Sequence, residues 1–133
     1  MIIINFKTYE EVTKGKNIIK MVKDFEKVFN KYRVPIILAV QATDIYRVAK
    51  ATSLPVYAQH IDPLEPGKNT GFTTWLAVKQ AGAIGDMINH SEHCIGMENI
   101  AADLTLCKNN ELRSLVCVEN PAEAEKIDKL GAD

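Results

Sequence analysis

Short apolar runs and longer amphipathic stretches alternate along the chain from its first residues. Residues 2–6 are nearly all apolar, and residues 14–31 then place Ile18, Ile19, Val22, Phe25, Val28 and Phe29 at helical spacing with lysines between them. That pattern predicts a strand followed by an amphipathic helix. The rhythm repeats. Pro35 precedes the run Ile36-Ile37-Leu38-Ala39-Val40, and Thr43 or Asp44 is placed to cap a helix carrying Ile45, Val48 and Ala49. Pro55 introduces a third short strand over 56–58. A helix over 73–81 closes on Gly82 and gives way to a fourth strand, Met87-Ile88-Asn89. A helix over 97–108 precedes a fifth strand over 115–118, and Pro121 opens a last helix, over 121–130, that Gly131 ends. Residues 62–71 hold two prolines, two glycines, Asp62 and Asn69, and predict a long loop of the kind that carries function or an interface.

Five strand–helix units in strict order predict a parallel sheet with crossover helices, its strands buried on both faces. The class is α/β. A dinucleotide fold would want Gly-x-Gly-x-x-Gly after its first strand, and here Phe6 is followed by Lys7-Thr8-Tyr9-Glu10. A barrel carries its chemistry at the C-terminal ends of its strands, where Lys7, Gln41, Gln59-His60, His90 and Glu119 fall.

Composition narrows the picture. With 133 residues and 47% hydrophobic content, the chain is read as one domain, or a piece of one, over 1–133. Sixteen basic against 17 acidic residues give a net charge of -1, so no global field favours nucleic acid or an acidic membrane. Cys94, Cys107 and Cys117 are odd in number with no paired spacing, which reads as free thiols in a reducing, cytoplasmic setting. There is no basic leader, and no run approaches the ~20 apolar residues of a membrane helix.

Asn5 and Lys7 lie two apart and are expected on one face of the first strand, while Asn89-His90-Ser91-Glu92 closes the fourth. An amide, an ammonium, an imidazole and a carboxylate at strand ends are what is needed to polarise a carbonyl and move a proton. His90, Glu92, His93 and Cys94 match no structural zinc spacing, so no metal is expected.

Six segments in order carry a resemblance: Ile4-Asn5-Phe6-Lys7-Thr8-Tyr9, Gln41-Ala42-Thr43-Asp44-Ile45-Tyr46, Ala58-Gln59-His60-Ile61-Asp62, Gly67 with Thr70-Gly71, Asn89-His90-Ser91-Glu92 and Val116-Cys117-Val118-Glu119-Asn120. In these the chain resembles the triosephosphate isomerases, specifically their short archaeal form. The resemblance implies an incomplete (β/α)8 TIM barrel of about five parallel strand–helix units. It implies catalytic roles for His90, Lys7, Asn5 and Glu92, with Asn5 and Lys7 also binding substrate, and neutral His90 polarising the carbonyl. The reaction implied interconverts dihydroxyacetone phosphate and glyceraldehyde 3-phosphate without metal or cofactor. A triose phosphate substrate and a homo-oligomer, reached through the Thr70 loop, are the implied partners.

The family's general base is a glutamate on a loop after the sixth strand, and that strand is expected to begin near Asp133. Glu119 is the nearest local substitute, although a surface carboxylate is its plainer reading. The expectation is therefore an isomerase-like protein with little or no activity alone. The alternative is a noncatalytic, self-associating scaffold or subunit completed by a second chain.

Overall fold

The computed structural model describes residues 1–133 throughout. Five strands, β1 (Ile2–Asn5), β2 (Ile36–Val40), β3 (Val56–Ala58), β4 (Gly85–Ile88) and β5 (Arg113–Val116), form one sheet in chain order. Every neighbouring pair is parallel, as in Ile2 opposite Ile36 and Ile88 opposite Val116. Parallel neighbours in chain order need a crossover at each step. The helices supply it: α1 (Glu10–Thr13) and α2 (Lys16–Tyr32) follow β1, α3 (Ile45–Ala51) follows β2, α4 (Trp75–Ala81) follows β3, α5 (Met97–Asn109) follows β4, and α6 (Pro121–Asp128) follows β5. The parallel sheet is the one the sequence pattern predicts, and its order is that of the incomplete (β/α)8 architecture the resemblance implies.

Side chains alternate across the sheet and build two unequal apolar layers. Leu38, Val40, Val56 and Ile88 face the helices and join a core that includes Ile18 and Val22 of α2 and Ile100 and Leu104 of α5. Ala39, Tyr57 and Met87 point the other way, flanked by the partly buried Ile37, Leu115 and Cys117. That second face is the barrel's inner side.

Several predicted boundaries move, each for a local reason. β1 ends at Asn5 instead of 6, because the Asn5 side-chain oxygen accepts the Lys7 main-chain N–H at 2.9 Å and turns the chain. Lys7, with φ 51°, therefore sits beyond the strand and not on it. The strands expected at 87–89 and 115–118 start earlier, at Gly85 and Arg113, since main-chain pairing of those two residues extends the ladder past the apolar run that marked it. Asp44 precedes α3 without a side-chain cap, and a 3-10 turn over Ala42–Asp44 leads in instead. The short α1 went unpredicted, because Glu10–Thr13 carries one apolar residue and shows no periodicity.

Other ends follow the sequence closely. Gly82, with φ 108°, caps α4, and Asn120 accepts the Glu123 N–H at 2.9 Å to open α6. The loop over 62–71 is closed at its base by Asp62, whose N–H donates to the Thr73 carbonyl at 2.8 Å and whose carboxylate accepts the Thr73 N–H at 2.6 Å.

Candidate active site

Beyond β1 the chain must leave the sheet while keeping Lys7 at its rim. Asn5 and Gln59 hold that turn. The Gln59 amide nitrogen lies 3.1 Å from the Asn5 side-chain oxygen, 3.1 Å from the Lys7 carbonyl and 3.4 Å from the Ala39 carbonyl. One amide thus ties the end of β3 to the ends of β1 and β2. A non-glycine residue in the left-handed region costs on the order of 1 kcal/mol or more, and these bonds offset it. The apolar neighbour Phe6 is buried on the helix side, packed edge-on to Phe25, which leaves Lys7 free to project over the strand ends.

The Lys7 ammonium donates to Glu92 at 2.8 Å, across a sequence separation of 85 residues. The pair is open to solvent, and it holds the Lys7 pKa above and the Glu92 pKa below their ordinary values. His90, mostly buried, accepts the Glu92 main-chain N–H on Nδ1 at 3.2 Å. Accepting there leaves the ring proton on Nε2. Glu92 Oε2 stands 3.6 Å from the same Nδ1, too long for a competing hydrogen bond.

Asn5, Lys7, His90 and Glu92 all line one open cavity of about 460 Å³, with Gln59, His60 and His93 among its other walls. The four residues singled out in the sequence therefore converge at the C-terminal ends of the parallel strands. Glu119 does not join them. It lines a smaller cavity of about 190 Å³ with Cys94 and Cys117, and His90 is the residue common to both. Burial pushes the Cys117 thiol up, which disfavours a thiolate nucleophile there.

Two features were not visible in sequence. Gln59 acts as a hub, although its place at the end of a strand and in one of the six resembling segments assigned it no role. The imidazoles of His60 and His93 lie 4.3 Å apart between ring centres, and His60 Nε2 stands 3.3 Å from Asp62. Burial lowers the His60 pKa, against the Asp62 contact that raises it. No group of three or more His, Cys, Asp or Glu side chains is arranged to hold a metal ion.

A family model described as triosephosphate isomerase matches residues 1–131. Among curated proteins, the triosephosphate isomerase of Methanobrevibacter smithii is 36% identical over the whole chain and 60% of its own length. That of Methanothermus fervidus is 40% identical with the same coverage, and that of Saccharolobus solfataricus is 42% identical over 90% of this chain and 52% of its own. The chain thus spans about 60% of the length of the first two. A crystal structure of triosephosphate isomerase from Bartonella henselae superposes with a TM-score of 0.71 at 19% identity, covering 97% of this chain and 55% of that one. That likeness bears on the fold.

Proposed function

This chain belongs to the triosephosphate isomerase family, and we propose that it supplies the electrophilic half of an isomerase site, with little or no turnover of its own. The observation that carries the reading is the meeting of Lys7, His90 and Glu92 in one cavity at the strand ends. An ammonium and an imidazole Nε2–H are donors suited to a substrate carbonyl that becomes an enediolate, as in the interconversion of dihydroxyacetone phosphate and glyceraldehyde 3-phosphate. Asn5 supports Lys7, and both would contact the substrate.

Taking a proton from carbon needs a base whose pKa lies near the working pH. Glu92 is the only carboxylate lining the cavity, and its hydrogen bond to Lys7 lowers its pKa and weakens it as a base. The base has to come from outside these residues. A coupled assay on the purified chain is expected to show isomerisation at background. Turnover that Lys7→Ala and His90→Gln both abolish would overturn this.

A second reading, a self-associating scaffold or a subunit completed by another chain, draws on the sheet itself. β1 and β5 each pair on one side only, and Ile3 at that end is 40% exposed. Bare parallel edges invite pairing. Light scattering is expected to show a mass that rises with concentration, and a monodisperse monomer over a wide range would count against it. In either reading the 133 residues act as one partial-barrel domain. The three free cysteines support a reducing, cytoplasmic setting, and no helix is long and apolar enough to cross a membrane.

A further inference from the structure

Asn89 is one of four non-glycine residues with positive φ, at 59°, and it stands immediately before His90. Its side chain is engaged at both ends. The amide nitrogen donates to the Cys117 carbonyl at 3.1 Å, and the oxygen accepts the Ile95 main-chain N–H at 3.1 Å.

The sheet register gives these bonds a meaning. Ile88 pairs with Val116, and the Cys117 N–H donates to the Ile88 carbonyl at 2.9 Å. One rung further, a parallel ladder would bring the main-chain N–H of His90 to the Cys117 carbonyl. That carbonyl takes the Asn89 side chain instead. The side-chain amide replaces a main-chain rung while the left-handed backbone turns His90 out of the line of the strand. Its oxygen then closes the far end of the turn at Ile95, just ahead of α5, with the His93 N–H to His90 carbonyl bond of 2.7 Å between. Both ends of the segment that carries His90 and Glu92 are fastened by one residue.

We propose that Asn89 is the positioning residue of this site, fixing the His90 ring in the orientation in which Nδ1 accepts the Glu92 N–H and Nε2 carries the proton. The significance for catalysis rests on the functional reading above; the positioning itself does not. The competing explanation is that asparagine is present only because it tolerates a left-handed backbone. Glycine tolerates it better and makes neither bond, so Asn89→Gly separates the two.

The test is nitrogen NMR of histidine-labelled full chain, with the His90 signals identified by their loss in His90→Gln. In Asn89→Gly, unfolding is expected to stay cooperative while the ratio of Nε2–H to Nδ1–H forms of His90 falls about fivefold, the preference one ordinary hydrogen bond supplies. Asn89→Asp keeps the acceptor for Ile95 and loses the donor to Cys117, so a partial fall is expected there. That variant carries the test if the glycine variant does not fold. An unchanged His90 ratio in a folded variant overturns the proposal. Calorimetry of the wild-type chain with a phosphorylated triose analogue separates the two claims. Absence of binding at millimolar ligand counts against the functional reading alone, whereas an unresponsive His90 counts against the positioning alone.

Discussion

His90→Gln, in a barrel completed by a second chain bearing three further strand–helix units and a catalytic carboxylate, is expected to lower kcat by about 10²- to 10³-fold while KM moves less than about threefold. Steady-state coupled assays of the mixed chains measure it. The asymmetry follows from where each donor acts. On the proposed reading the His90 Nε2–H would meet a carbonyl oxygen whose charge grows as the enediolate forms, which would concentrate its contribution in the transition state. Glutamine keeps a donor of similar reach and loses the imidazole's geometry, which the Glu92 N–H sets at Nδ1.

Lys7→Ala is expected to raise KM as well as lower kcat, because a fixed ammonium attracts an anionic substrate before and during reaction. It also releases Glu92, the partner of Lys7 at 2.8 Å. A His90→Gln complex with kcat within about threefold of the wild type would sink the assignment of His90 as the electrophile. The same experiment bears on the subunit reading, since it needs the two chains to associate through the free edges of β1 and β5.

How much of this was legible in the sequence depended on how local the cause was. The strand–helix rhythm is written in periodicity, so the five units and their parallel order could be read directly. The convergence of Asn5, Lys7, His90 and Glu92 could be read because a parallel sheet brings all strand ends to one rim. The conformation of Lys7 could not, since it depends on Asn5 and Gln59, the latter more than fifty residues away. Nor could the role of Asn89, which needs the register of β4 against β5 before its side chain can be seen to stand in for a main-chain rung. In the sequence Asp86 stands just ahead of the run 87–89 that marks the fourth strand, and only the structure places it within β4. Only the packing of α5 against the sheet reveals that it is fully buried with Asp103 for company.

That buried pair sets the second large expectation: the chain should lose stability as pH rises from about 4 to about 7. Asp86 on β4 and Asp103 on α5 are each 0% exposed, and neither carboxyl has a hydrogen-bond partner. Burial, with Asp103 and Asp62 nearby, raises the Asp86 pKa well above the carboxylate range. The Ile61 and Met87 N–H groups pull it down but do not reach hydrogen-bond geometry. Burial, with Asp62 adding to it, pushes Asp103 up to about 7. A carboxyl whose pKa is higher folded than unfolded binds more protons in the native state. Its stabilising effect is then complete below the unfolded pKa and is lost as pH climbs through the folded one.

For Asp103 alone that loss is ~4 kcal/mol, comparable to the whole stability of a small domain. Glu26 works on the other side: hydrogen bonds from Ser53 and Thr52 hold it at about 2, so it withdraws stability as pH falls toward that value. The two together place the stability maximum near pH 4 to 5, below the usual neutral range. Asp103→Asn keeps the shape and removes the titration, so urea unfolding at pH 8 should show it more stable than wild type by ~2 to 4 kcal/mol, with the difference vanishing near pH 4. A wild-type stability that is flat or rising between pH 5 and 8 would rule out two unpartnered carboxyls beneath this sheet.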